Sequence, residues 1–182
     1  SPQAGVHALL QFEALGVPVV NAPMALWRAR DKVRSFQVLR AAGVATPASL
    51  VLGRRLDASV LQRELGPPPW IVKAPEGTKG EAVFLVSSAA ELAALPQDVS
   101  VPYFLQRFVA ESKGRDVRVF VIDGRAHAAM RRESATGDFR SNLHLGGQGS
   151  EVELTPALAA LAEAATRAHG LDVAGVDVLE GA

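Results

Sequence analysis

The sequence predicts an α+β fold, in which hairpins of antiparallel strands are mixed with separate helices. Asp123-Gly124 lies between two apolar runs and is a strong two-residue hairpin signal. Trp70–Lys73 and Ala82–Val86 read as two more strands around a polar loop. Hairpins mixed with single helices favour α+β over a doubly wound parallel sheet. The chain has 182 residues, of which 48% are hydrophobic, so it is long and apolar enough to bury a sizeable core.

Composition excludes several classes of protein. The 19 Lys and Arg residues balance 19 Asp and Glu residues, which argues against nucleic-acid binding through a general positive field. There is no cysteine, so disulfide scaffolds, thiolate metal sites and cysteine nucleophiles are excluded. No stretch reaches the roughly 18 uninterrupted apolar residues of a membrane span. We therefore predict a cytoplasmic protein that does not act at a membrane or bind nucleic acid directly.

Local signals predict the elements of the N-terminal part. Gln3–Leu15 has helical apolar spacing, and Val17–Val20 is expected to be a strand. Asn21 is expected to cap a helix that has Pro23 in its first turn and an apolar stripe that continues to Leu39.

The middle of the chain has equally local signals. Asp57–Leu65 is expected to form a short helix, and Ser88 with Glu91 is a capping-box signature for a helix that ends near Leu95. Tyr103–Val109 is apolar and aromatic, as expected of a strand.

The C-terminal part begins with a predicted hairpin of Val117–Ile122 and Ala126–Met130. Glu133–Ser150 is a long polar, glycine-rich segment, a length that usually indicates function or disorder. A helix from Thr155 to Gly170 has a cap at each end. The last strand, Ala174–Leu179, has no obvious hairpin partner, so we expect the chain to stop inside a larger domain.

The first candidate site is the loop Glu76–Gly80, which follows Lys73. Glycines allow backbone amides to approach phosphate oxygens, and Lys73 supplies a compact positive charge. The spacing differs from that of a P-loop, which excludes that mechanism. By itself the pattern is weak and favours an ordinary flexible hairpin loop.

The second candidate is Lys32, which lies in a stretch with four cations. Lys32 is next to the apolar stripe and can reach into a cleft. For Arg28, Arg30 and Arg34 we prefer a solvated helix face.

The third candidate is Gly137–Gly147, which follows Arg131-Arg132. It combines arginine with serine, asparagine and histidine, a set of donors suited to phosphate or carboxylate. The alternative is a disordered exposed loop. Asp116 and Asp177 are the carboxylates suited to a nucleotide site, since Mg²⁺ on phosphates takes one or two of them. A solvent-facing strand residue is the alternative for Asp177.

Taken in order, these segments resemble ATP-grasp carboxylate-amine ligases of the RimK-like branch, which adds glutamate to an acceptor. The most specific combination is GDFRSNLH followed some thirty residues later by VAGVD. The resemblance extends over nearly the whole chain, in the stretches Ala29–Ser35, Trp70–Gly80, Phe104–Val109, Arg115–Val121, Gly137–Gly147 and Leu171–Leu179.

The resemblance implies an ATP-grasp fold, with a nucleotide held between two α+β subdomains. It implies that residues 1–20 end a preceding domain, that 21–102 form the central subdomain, and that 103–182 form an incomplete C-terminal subdomain. The chain is accordingly expected to be truncated at both ends.

The resemblance also implies roles for individual residues. The implied catalytic residues are Arg140, Asn142 and Arg132. Arg131 and Arg132 are implied to help hold the substrate carboxylate. The implied metal ligand is Asp177. The implied nucleotide contacts are Lys32, Lys73, Glu76, Gly77, Thr78, Gly80, Arg107, Phe108, Asp116, Arg140, Ser141 and Asn142.

The implied reaction transfers the γ-phosphoryl group of ATP to a carboxylate, after which an amine attacks the acyl phosphate. Its cofactors are ATP and Mg²⁺ or Mn²⁺, and glutamate is the expected amino acid. The acceptor is a protein such as a ribosomal protein C-terminus, a carrier protein or a small molecule, and the full-length enzyme is expected to be a homo-oligomer. The alternative from another class is a non-catalytic nucleotide-binding module that acts through a partner.

The sequence departs from the family pattern at three places. Ala82 stands where the family's loop usually has glycine, and Arg107 where relatives often have an acidic residue. The later strand that bears the remaining Glu and Asn metal ligands does not follow Asp177 before the chain ends. The resemblance therefore implies that this chain alone is inactive or weakly active.

Overall fold

The computed structural model contains two four-stranded antiparallel sheets with helices packed against them. It describes residues 2–53, 56–73, 83–96, 102–135 and 148–181. This arrangement confirms the α+β prediction. The helices are α1 Pro2–Ala14, α2 Pro23–Arg30, α3 Lys32–Ala41, α4 Ala58–Leu65, α5 Ala89–Ala94 and α6 Pro156–His169, with a 3₁₀ turn at Ala110–Ser112. The strands are β1 Ser49–Leu52, β2 Trp70–Lys73, β3 Val83–Val86, β4 Tyr103–Arg107, β5 Arg115–Ile122, β6 Arg125–Glu133, β7 Gln148–Val152 and β8 Val173–Val178.

The first sheet has the strand order β1-β4-β2-β3, and one of its faces is covered by α4 and α5. Alternate residues of a strand point to opposite faces, so Tyr103 and Leu105 join the core while Phe104 and Gln106 lie on the other face. Lys73 is directly opposite Phe104 across β2 and β4 and shares that second face. The core of this unit is Leu56, Leu61, Leu65, Trp70, Val72, Val86, Leu92, Tyr103 and Leu105.

The second sheet has the order β7-β6-β5-β8, and α6 covers one face. Val117, Val119 and Val121 of β5 are buried under α6, which leaves the even-numbered residues of β5 on the other face. The β5–β6 hairpin turns at Asp123 and Gly124, both with positive φ as a type I′ turn requires.

Helices α2 and α3 attach to the second unit through polar contacts with α6 and β8. An Arg28 Nη atom donates to the carbonyl of His169 at 2.9 Å. His169 Nδ1 lies 2.9 Å from the Ala165 carbonyl, which can only accept, so Nε2 accepts from Ser35 Oγ at 2.9 Å. The Asn21 side chain accepts from the backbone N–H groups of Asp172 and Val173 and donates to the carbonyl of Val173.

Several local predictions differ from the structure. Val17–Val20 forms no strand, and Asn21 does not cap α2, because its side chain pairs with the backbone of residues 172–173 instead. The single helix expected to continue to Leu39 is interrupted at Asp31, whose Oδ1 caps a new helix by accepting from the N–H groups of the second and third residues of α3. Arg28 is half-buried rather than solvated, since it caps the end of α6.

The last strand has a partner that the sequence did not indicate. It pairs antiparallel with β5, with Asp177 opposite Arg118. Strand β4 belongs to the first sheet, between β1 and β2, although residues from 103 onward were expected to build the second unit. The change from one sheet to the other follows Arg107, while the domain boundaries themselves remain a prediction.

No helix in the described ranges is long and apolar enough to cross a membrane.

Candidate functional site

Two lysines come together where α3 meets the open face of the first sheet. Lys32 is the first residue of α3 and Lys73 the last residue of β2. Burial, followed by the charge of Lys32, lowers the pKa of Lys73 from 10.5 to about 8. Neither ammonium group has an ion pair within the described ranges. The pair is therefore a concentrated positive charge, which favours an anionic ligand.

Helix α3 is held in place by contacts with both units. Phe36 packs edge-on against Phe104 of the first sheet, with ring centroids 5.5 Å apart. The adjacent Ser35 donates to His169 of the second unit. Since Lys32 precedes these residues by three and four positions, it lies on the same side of the helix. The helix thus fixes Lys32 close to Lys73.

A network of four charged side chains lies on the face of the second sheet opposite α6. Arg132 donates to both carboxylate oxygens of Asp116, directly across β5 and β6, at 2.7 and 2.5 Å. Arg118 donates to both oxygens of Asp177 at 2.6 and 2.8 Å. Arg132 also lies 2.9 Å from Asp177, which joins the two pairs. Three residues that sequence analysis assigned separately, Asp116, Arg132 and Asp177, are therefore one connected group.

Burial differs within this network. The side chains of Asp116 and Arg132 are 8% and 5% exposed, whereas those of Arg118 and Asp177 are 41% and 42% exposed. Burial alone lowers the pKa of Arg132, but the hydrogen bond and charge of Asp116 and the charge of Asp177 outweigh it, so the net direction is upward. Because two of its nitrogens already bond carboxylates, Arg132 serves here mainly as a buried counter-ion; its substrate contact remains a prediction.

Asp177, the predicted metal ligand, lies among groups that differ from those Mg²⁺ requires. Mg²⁺ prefers oxygen ligands and is commonly bound through one or two carboxylates plus phosphates. In the described ranges no group of three or more His, Cys, Asp or Glu residues is placed to hold a metal. Both oxygens of Asp177 accept from Arg118, and Oδ2 also lies beside Arg132. Because the carboxylate of Asp177 is already paired with two guanidinium groups, Asp177 and its described neighbours do not by themselves form a metal site.

The remaining predicted residues fall into two groups. Arg107 is exposed at the end of β4, and its backbone N–H donates to the Ala48 carbonyl at 2.9 Å, so this amide is not available to a base. Phe108 follows it and is half-buried, and Arg131 pairs with Glu180 at 2.9 Å. The other predicted residues lie outside the described ranges, namely Glu76, Gly77, Thr78, Gly80, Arg140, Ser141 and Asn142, together with the departure Ala82.

Two polar residues next to the predicted ones were not expected from the sequence to belong to the site. Arg118 follows Asp116 by two positions, so strand periodicity places both on one face. Gln106 follows Phe104 by two positions and accepts a hydrogen bond from Lys73 Nζ at 2.5 Å. In both cases the two-residue spacing along a strand could have indicated a shared face. It could not indicate the partners of Gln106 and Arg118, which lie on other strands.

Curated relatives are similar in sequence to this chain over most of its length. A probable alpha-L-glutamate ligase of Xanthomonas campestris pv. campestris (strain B100) is 40% identical over 178 residues, which is 96% of this chain and 61% of that protein. One from Aliivibrio fischeri (strain MJ11) is also 40% identical, over 96% of this chain and 59% of that protein. The chain thus spans about three fifths of the length of these relatives.

Solved structures share the fold. A RimK domain protein ATP-grasp from Sphaerobacter thermophilus DSM 20745 matches with a TM-score of 0.75 at 20% identity, over 97% of this chain and 64% of that one. The ATP-grasp ligase PsnB, complexed with Mg, ADP and a phosphomimetic variant of its minimal precursor, matches with a TM-score of 0.70 at 25% identity, over 99% of this chain and 55% of that one. The family model described as RimK-like ATP-grasp domain matches residues 29–182. The chain therefore belongs to the RimK-like ATP-grasp domain family, as its motifs predicted.

Proposed function

We propose that the protein is an ATP-dependent ligase that joins a carboxylate to an amine, and that Lys32 and Lys73 bind the phosphates of its nucleotide. The observation that carries this proposal is the lysine pair itself. Two ammonium groups close enough for one to lower the pKa of the other repel each other, and neither has an acidic partner within the described part of the chain. A polyphosphate relieves that repulsion.

The named relatives support the choice of substrates. Proteins about 40% identical to this chain are named probable alpha-L-glutamate ligases. The fold neighbour PsnB is an ATP-grasp ligase complexed in one structure with a precursor peptide and AMPPNP, and in another with a variant of its minimal precursor, Mg and ADP. We infer that glutamate is the amino acid and that the acceptor is a peptide or protein. A small-molecule acceptor, a homo-oligomeric state and a cytoplasmic location remain predictions.

The proposed reaction has two steps. A carboxylate oxygen attacks the γ-phosphorus of ATP, the bond to the β-phosphate oxygen breaks, and ADP leaves. The amine nitrogen then attacks the carbonyl carbon, phosphate leaves, the nitrogen loses a proton, and an amide remains. Such transfers depend on positioning and charge neutralisation rather than on a protein nucleophile, which agrees with a site built from lysines and arginines.

The candidate site residues have different roles in this proposed reaction. Lys32 and Lys73 bind phosphate oxygens. The Asp116–Arg132 ion pair joins β5 to β6 and so stabilises the second sheet. Roles at the γ-phosphate and the acyl phosphate are proposed for Arg140, Ser141 and Asn142. Mg²⁺ or Mn²⁺ remains the proposed metal and Asp177 its proposed ligand, although the carboxylate of Asp177 is paired with Arg118 here.

Nucleotide binding tests the first half of the proposal. We expect AMPPNP affinity, measured by calorimetry at pH 7, to fall about tenfold or more for Lys32→Met and for Lys73→Met, because a charge-assisted hydrogen bond contributes about 1.5–3 kcal/mol. Lys113→Met is the matched control, since Lys113 is exposed in the turn before β5. Equal affinity of all four proteins would contradict the phosphate site.

Turnover tests the second half. ADP release should require both glutamate and an amine or peptide acceptor, and should be measured on this chain and on any longer natural form of it. A nucleotide-binding protein that releases no ADP with any carboxylate and amine would reject the ligase and favour the non-catalytic module.

A further inference from the structure

A chain of hydrogen bonds leads from Lys73 to the edge of the first sheet. Lys73 Nζ donates to Gln106 Oε1 at 2.5 Å, and Gln106 Nε2 donates to Ser49 Oγ at 3.0 Å. Ser49 Oγ in turn donates to the Pro47 carbonyl at 2.8 Å. The strands bring these groups together, since Ser49 is directly opposite Gln106 across β1 and β4.

The chemistry of these groups fixes the orientation of the amide. A carbonyl can only accept, so the Ser49 hydroxyl uses its single proton on Pro47 and must accept from Gln106. The amide nitrogen of Gln106 is therefore turned to Ser49, and its oxygen is turned to Lys73. An ammonium group has only donors, so the opposite orientation would place donor against donor.

The remaining surroundings of Lys73 restrict its position further. The Phe104 ring lies 5.4 Å from Nζ, measured to the centroid, and Phe36 holds that ring from the side of α3. Burial acts against protonation of Lys73, and among the residues that the structure describes the charge of Lys32 acts in the same direction. A neutral amide offsets part of this cost without cancelling the charge, whereas a carboxylate at position 106 would neutralise the lysine and repel phosphate.

We propose that Gln106 is a positioning residue, held by Ser49, that fixes the Lys73 ammonium group for an incoming nucleotide phosphate. The proposal rests on the function proposed above. Gln106 stabilises the protonated lysine and leaves two of its three donors for the ligand. Its role is distinct from packing because it depends on charge and on the direction of one amide.

The pH dependence of AMPPNP binding provides the test. The pKa of Lys73 is about 8, below the ordinary value, and the charged form binds phosphate, so affinity should be lost as pH rises through about 8. Gln106→Leu removes the acceptor, so we expect the midpoint to move down by about 0.5 pH or more, with about tenfold weaker binding at pH 7.5. Gln106→Glu keeps an acceptor and adds a charge, so we expect the midpoint to move up while binding weakens. Ser49→Ala should shift the midpoint in the same direction as Gln106→Leu but less.

The variants separate the possible failures. Opposite midpoint shifts from two substitutions at one position cannot come from misfolding, and circular dichroism confirms that each variant is folded. An unchanged midpoint in both Gln106 variants would overturn the positioning role, even if affinity falls. Lys73→Met is the separate control for the site: if it binds AMPPNP as the parent does, the proposed phosphate site fails rather than the role of Gln106.

Discussion

The buried ion pair between Asp116 and Arg132 predicts a large loss of stability for Asp116→Asn. The side chains of Asp116 and Arg132 are 8% and 5% exposed and are joined by two hydrogen bonds across β5 and β6. Asparagine keeps the size of aspartate but removes its charge, and its amide nitrogen places a donor against the guanidinium. Among the residues that the structure describes, Arg132 would then be a buried cation with Asp177 as its one remaining charged partner.

The structure also sets the magnitude. Breaking one side of a buried pair costs about 3–5 kcal/mol, and the contact with Asp177 places the expected loss near the lower end, at about 3 kcal/mol. For a chain of this size each kcal/mol corresponds to about 2–4 °C, so Tm should fall by about 6–12 °C. Arg118→Gln breaks a pair whose two side chains are 41% and 42% exposed. Pairs of that kind contribute about 0–1 kcal/mol, which makes this variant the matched control.

Urea unfolding followed by far-UV circular dichroism measures both losses on one scale. Comparable m-values for the parent and the variants would show that the same surface unfolds in each. The reasoning is refuted if Asp116→Asn loses no more stability than Arg118→Gln, because burial would then not decide the contribution of the pair.

Three further substitutions test the contacts around the site. Asn21→Ala removes three hydrogen bonds to the backbone that leads into β8 and should cost about 2 kcal/mol in urea unfolding; Asn21→Asp keeps two of them and should cost less, so equal losses would argue against the pairing. Ser35→Ala leaves His169 Nε2 without its donor, and we expect a loss of about 1–2 kcal/mol by thermal melting; no change would mean that water replaces the hydroxyl. Gly175→Ala places a Cβ 3.2 Å from Cδ of Arg118. We expect the Arg118 Nε–H signal in NMR spectra to shift as that side chain moves away from Asp177, and an unchanged signal would contradict the contact.

Much of the local structure was predictable because its chemistry lies within a few residues. The caps at Asp57, Ser88 and Thr155 bond backbone amides two or three positions ahead, as their residue types predict. Gly170 ends α6 in the left-handed conformation, where a residue without a side chain has no steric cost. The prediction for Asn21 was wrong for the opposite reason: its residue type suits a cap, but its hydrogen-bond partners are 151 and 152 residues away.

The family motifs placed Lys32, Lys73, Asp116, Arg132 and Asp177 in one candidate site. Their individual environments were not predictable from spacing. That Arg132 is buried between two carboxylates follows from the register of β5 against β6 and β8. Strand register is set by the packing of whole sheets, so no short segment of sequence contains it.

The sequence alone determined the α+β class, the family and most helix caps, because these depend on residue type and on neighbours along the chain. Only the tertiary structure decided which charges meet. It paired Asp177 with Arg118, turned the Gln106 amide toward Lys73, and brought Lys32 beside that lysine. The reason is physical: hydrogen bonds and ion pairs act over a few ångströms, and the sheets and α3 bring together groups that the sequence separates by 33 to 59 residues.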